Sequence, residues 1–107
     1  MLTGIRLKEK TRLFAPKMEA LAHPHRLAIL HILAYGELPL HEIVANCDEA
    51  ENLVSHHIKK LLTTGWVGKR IEGRQTYYFI KERGFFELFR MLVETPFYRT
   101  TLTKQLK

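Results

Sequence analysis

The spacing of apolar positions divides the chain into successive helices, a β-hairpin and a last helix. Over residues 3–22, Leu7, Phe14, Met18 and Leu21 mark a helical face. Pro16 lacks a backbone donor, which predicts two short helices there rather than one long one. Pro24 stands where a first helical turn tolerates proline, and Leu27, Leu30, Ile32 and Leu33 carry the next helix to Tyr35-Gly36. Residues 40–46 read as a short helix entered at Pro39, with Leu40, Ile43 and Val44 apolar. Asp48-Glu49-Ala50-Glu51 then has the form of a capping box, an acid at the N-cap and a glutamate three residues on. The helix behind it is expected to run to about Thr64 and close at Gly65.

Beyond Gly65 the period changes. Trp66-Val67, Lys69-Arg70-Ile71 and Thr76-Tyr77-Tyr78-Phe79-Ile80 are rich in β-branched and aromatic residues and predict strands. Glu72-Gly73-Arg74-Gln75 supplies the hairpin turn, with glycine where a positive φ is needed. A helix over 85–94 and a basic tail after Pro96 complete the chain. The predicted class is mainly α with a small β-hairpin, in the order of a winged helix-turn-helix. It reads as one domain over 1–107: an N-terminal helical arm (1–22), the helix-turn-helix (40–64), the wing (66–80) and a C-terminal dimerisation helix with its tail (84–107).

The helix after the capping box is the candidate recognition element. Advancing by about 100° per residue from Val54 places Ile58, Leu61 and Leu62 on the inward face. Asn52, Ser55, His56, Lys59 and Thr63 fall opposite, a short polar face suited to the major groove of DNA. Asn52 is chemically matched to adenine, Ser55 to several base edges or a phosphate, and Lys59 to guanine or phosphate. Lys60, at the margin, suits a phosphate. A polar outer face alone also describes a merely solvated helix. The following ribbon changes the balance, because Lys69, Arg70, Arg74 and Gln75 surround its glycine turn. Asp48, Glu49 and Glu51 argue the other way, since they stand near where phosphates would lie.

Charge agrees with a polyanionic partner: 17 Lys and Arg against 11 Asp and Glu leave a net +6, and twice that in a dimer. The expected partners are double-stranded DNA and a second copy of the chain. The sequence Phe85-Phe86-Glu87-Leu88-Phe89-Arg90-Met91-Leu92-Val93 is too apolar for a peripheral helix of a small domain. Phe85, Phe86, Phe89, Leu92 and Val93 are therefore expected in a homodimer interface, extended by Phe97 and Tyr98, unless the N-terminal segment covers them. No apolar run approaches membrane-spanning length and the start carries no leader pattern, so a cytoplasmic protein is expected.

Cys47 is a lone cysteine, read either as a small buried residue or as a redox sensor. With His23, His25, His31 and His41 it follows no regular metal-ligand spacing, and neither metal nor cofactor is expected. His23 and His25 read as polar groups at a helix start, and His57 as a hydrogen-bonded core residue.

Four blocks, Leu21-Ala22-His23-Pro24-His25-Arg26-Leu27-Ala28-Ile29-Leu30, Ser55-His56-His57-Ile58-Lys59-Lys60-Leu61, Gly65-Trp66-Val67 and Gly73-Arg74-Gln75-Thr76-Tyr77-Tyr78, resemble in order and spacing those of the ArsR/SmtB arsenical-resistance repressor family. The match covers about 18–80. It implies a homodimer built on the terminal helices, a palindromic operator and release of DNA by an effector. The family's thiolate inducer site is not matched: Glu37-Leu38-Pro39-Leu40-His41-Glu42 has no cysteine, so soft metals lose their ligands there. Its site on the last helix needs histidine, and residues 85–107 contain none. An enzyme is not expected, for the chain has no glycine-rich phosphate loop, and Ser55-His56, adjacent on a helix, diverge. A winged-helix protein-interaction module, or a metal- or redox-responsive regulator using Cys47 and histidines, are the alternatives.

Overall fold

The computed structural model describes residues 3–96, 98 and 99, so the tail beyond them and Phe97 lie outside the described residues. Its elements are α1 (Gly4–Glu19), α2 (Pro24–Leu33), β1 (Leu38–Pro39), α3 (Leu40–Cys47), α4 (Glu51–Thr63), β2 (Val67–Glu72), β3 (Gln75–Ile80) and α5 (Gly84–Val93). The strands form one antiparallel sheet in the order β1-β3-β2. The predicted class holds, a mainly helical winged helix-turn-helix.

Three local expectations are corrected. The first is the break at Pro16, which does not occur: α1 runs through it. Proline there forfeits one helical bond, to the Arg12 carbonyl, but both residues face solvent, where water satisfies the carbonyl. The second is the capping box. Asp48 instead ends α3 in the left-handed conformation (φ 53°, ψ 45°), and its N–H donates to the Val44 carbonyl at 3.2 Å. The turn is so short that Asp48 is used up closing one helix, and Ala50 begins α4 with no side-chain cap. The third is the sheet, which gains β1. Pro39 pairs with Tyr77 there, acceptable because this strand is an edge.

The core is built from the inward faces of α2 (Ile29, Leu30, Leu33), α3 (Ile43) and α4 (Val54, Ile58, Leu61), closed by Trp66, Val67 and Ile80 of the wing base. Phe85 belongs to this core too: at 2% exposure it is interior to a single chain, which corrects its placement in a dimer interface. Phe86 likewise packs against the core, beneath the Arg83 guanidinium at 4.8 Å.

The arm α1 has no buried residue. Its C-terminal end is tied down by Trp66, whose Nε1 donates to the Lys17 carbonyl at 2.7 Å while the Lys17 ammonium lies 4.5 Å over the indole ring. The rest projects, with Ile5 81% and Leu13 65% exposed. The radius of gyration, 16.1 Å, exceeds the roughly 13 Å of a compact chain this long. The arm therefore leaves much of α5 uncovered: Met91 is 61% and Leu92 49% exposed. No described helix is long and apolar enough to cross a membrane.

Candidate nucleic-acid interface

Helix α4 sorts its side chains by face. Val54, His57, Ile58 and Leu61 are buried, whereas Asn52, His56, Lys59 and Thr63 are exposed and Ser55 and Lys60 half-buried at the margins. Thr63 donates its hydroxyl to the Lys59 carbonyl at 2.7 Å, and Thr64 bonds back to Lys60 at 2.8 Å, so the last turn is stabilised from within. The side chains selected from the sequence thus share one outward surface, with His57 turned away from it.

The wing follows directly. Gly73 (φ +62°) makes the two-residue turn between Glu72 and Gln75, and Lys69, Arg74 and Gln75 are exposed. Alternation along β2 puts Lys69 and Arg70 on opposite faces of the ribbon. Arg70 is also committed elsewhere: it donates to both oxygens of Glu37 (2.6 and 3.3 Å) and to Glu72 (2.8 Å), and lies 4.8 Å over the Tyr77 ring. These bonds push its pKa up and hold Glu37 below the usual carboxyl range, the hydrogen bond being the first cause in each case. Arg70 is therefore a strut between the wing and the segment before α3, unlike the other wing cations. Among the described residues no carboxylate pairs with Lys59, Lys60, Lys69 or Arg74. Ile71, a strand residue in the sequence pattern, is 70% exposed on the ribbon.

Glu49 is turned toward His25, with Oε1 3.1 Å from Nε2. Cys47 is half-buried at the end of α3, and burial, then Glu49, raises its thiol pKa. That opposes the thiolate a redox sensor needs.

The fold also gathers three histidines that sequence spacing kept apart. His23 lies 4.3 Å from His57 and 5.2 Å from His25, ring centre to ring centre. His23 caps α2 by accepting from the His25 N–H at 3.1 Å, and Arg26 approaches Nδ1 of His57 at 3.4 Å. Burial, followed by neighbouring positive groups, lowers the pKa of His23 and, with His23 acting before Arg26, of His57. One nitrogen from each of these rings lies within 4.8 Å of the others, a juxtaposition that the sequence spacing did not signal.

A model described as a helix-turn-helix domain matches residues 21–65, from the end of the arm through α4. A transcriptional repressor SmtB homolog of Synechocystis is 29% identical over 86 residues, 80% of this chain, and the match spans 65% of that relative's length. The crystal structure of a fragment of a possible transcriptional regulatory protein from Mycobacterium bovis is 31% identical. It covers 76% of this chain and 87% of that one, with a TM-score of 0.68. The solution structure of the homodimeric winged helix-turn-helix DNA-binding domain of a possible ArsR-family regulator, also from M. bovis, covers 84% and 83% at 29% identity and TM-score 0.74. The chain belongs to the ArsR/SmtB family. Members of this family are transcriptional regulators. NolR from Sinorhizobium fredii, 23% identical with a TM-score of 0.78 over 88% of this chain and 93% of that one, shares this fold.

Proposed function

We propose that the chain is a homodimeric, sequence-specific DNA-binding transcriptional repressor acting on a palindromic operator in the cytoplasm. The observation that carries this reading is the outward face of α4. Asn52, His56 and Lys59 stand clear of the core on a helix whose opposite side is anchored by Val54, Ile58 and Leu61. A helix so presented enters the major groove, and Lys69, Arg74 and Gln75 on the adjoining ribbon reach the flanking backbone. Arg70 is left out of the contact set because its charge is met by Glu37 and Glu72.

The dimer is assigned to the apolar surface shared by the end of α1, α2 and α5, where Met18, Leu27, Phe89 and Leu92 line a groove. Exposed Leu13 and Phe14 continue it along the arm. An apolar surface of this kind calls for a partner, and a two-fold pairing sets two recognition helices about 34 Å apart. The homodimeric M. bovis relative supports this assignment. No reaction is assigned to the chain.

Retention on random-sequence duplex at low salt, with a steep fall as salt rises, tests the reading. Lys59→Ala and Arg74→Ala are expected to weaken binding, each lowering the slope of log affinity against log salt by about 0.9 where a phosphate contact is lost. A protein with no affinity for duplex at low salt, or unchanged by both substitutions, contradicts it.

A further inference from the structure

We propose that His23, His25 and His57 form a binding site for a borderline divalent transition-metal ion, of the Zn2+ or Co2+ class, between the start of α2 and α4. One nitrogen from each ring lies within 4.8 Å of the others. Tetrahedral ligands at zinc–nitrogen distances of about 2.0–2.1 Å stand about 3.4 Å apart, so the rings need to close by at most about 1.4 Å. Three imidazoles suit metals of intermediate softness, and three protein ligands leave a fourth position open to water.

His25 is already arranged as a ligand. Its Nε2 faces the Glu49 carboxylate at 3.1 Å, which fixes the ring proton there and leaves a lone pair on Nδ1. That Nδ1 is buried with no hydrogen-bond partner, and no other described side-chain polar atom shares this condition. A buried acceptor left unmet is costly, and a cation satisfies it. A carboxylate on the far nitrogen of a histidine is also the usual outer support of a metal-bound imidazole. His23 and His57 now direct Nδ1 at the His25 N–H and at Arg26. The ion takes Nδ1 by displacing these donors, or takes Nε2 with the ring proton moved to Nδ1, and either route gives up the two hydrogen bonds. Arg26 opposes the ion's charge on one flank; Glu49 offsets it on the other.

This site shares no residue with the two metal positions that the family resemblance implied. Because His57 sits on α4, a bound ion ties the outward-facing helix to α2.

Titration of the metal-free 107-residue protein with Co2+, followed by visible absorption, tests the proposal without any DNA. Its failure is thus separate from failure of the DNA-binding reading. One Co2+ per chain is expected in the wild type. His23→Asn keeps a capping acceptor for α2 while removing the imidazole, and His25→Ala removes the unmet nitrogen. Both are expected to abolish stoichiometric uptake with unchanged circular dichroism, and Glu49→Gln to weaken it 10–100-fold. Wild-type uptake equal to that of both histidine variants, or no one-to-one binding at all, overturns the site.

Discussion

The guanidinium of Arg70 clasps the carboxylate of Glu37, with Nη2 to Oε1 at 2.6 Å and Nε to Oε2 at 3.3 Å, and so joins the wing to the strand-and-helix segment that follows Glu37. Arg70→Ala is accordingly expected to change DNA affinity less than Arg74→Ala does, in parallel duplex titrations. The pair also carries a pH signature. Glu37 is held below its ordinary value of 4.5 by the Arg70 hydrogen bond, so its contribution is complete above that value. It is lost as pH falls through the lowered folded-state value. Denaturation curves of wild type and Glu37→Gln should therefore differ near neutrality and converge on acidification.

Gly68 is required by its neighbour. A Cβ there would stand 2.6 Å from the Phe79 ring, across the β2–β3 ladder. Gly68→Ala is expected to displace that ring and cost about 1–3 kcal/mol, read from the thermal or denaturant midpoint.

How much of this was legible in the sequence depends on the range of the interactions involved. The two faces of α4 follow from a local 3.6-residue period, so Val54, Ile58 and Leu61 and their polar opposites were separable in advance. The wing turn was likewise local, because Gly73 marks it. What escaped was set by distant partners: Arg70 reads as a free cation until Glu37 is folded beside it, and His57 meets His23 only when α4 packs on the start of α2. Pro16 misled because a breaker rule neglects that an exposed helix loses little by one missing bond. Phe85 misled because α5 is apolar on every side but that of Glu87 and Arg90, and the pattern does not say which apolar side meets the chain's own core.

Trp66 fastens the arm. Trp66→Phe removes the donor to the Lys17 carbonyl and the stacking of the Lys17 ammonium, and is expected to cost about 1–3 kcal/mol. Amide hydrogen exchange should quicken at the end of α1 more than in α4.

Leu92 lies half-exposed on α5 beside Phe89, outside the core. Leu92→Glu is expected to shift the protein from dimer to monomer in sedimentation experiments while the helical signal persists, and to weaken duplex binding with it.

The most direct measurement is selection of bound duplexes from a random pool by the wild-type protein, followed by sequencing. An enriched palindrome is expected, its half-sites centred about 10–10.5 base pairs, or a multiple of that, apart, with enrichment lost in Lys59→Ala and Leu92→Glu. Absence of any enriched sequence, or enrichment of a single half-site indifferent to both substitutions, contradicts it.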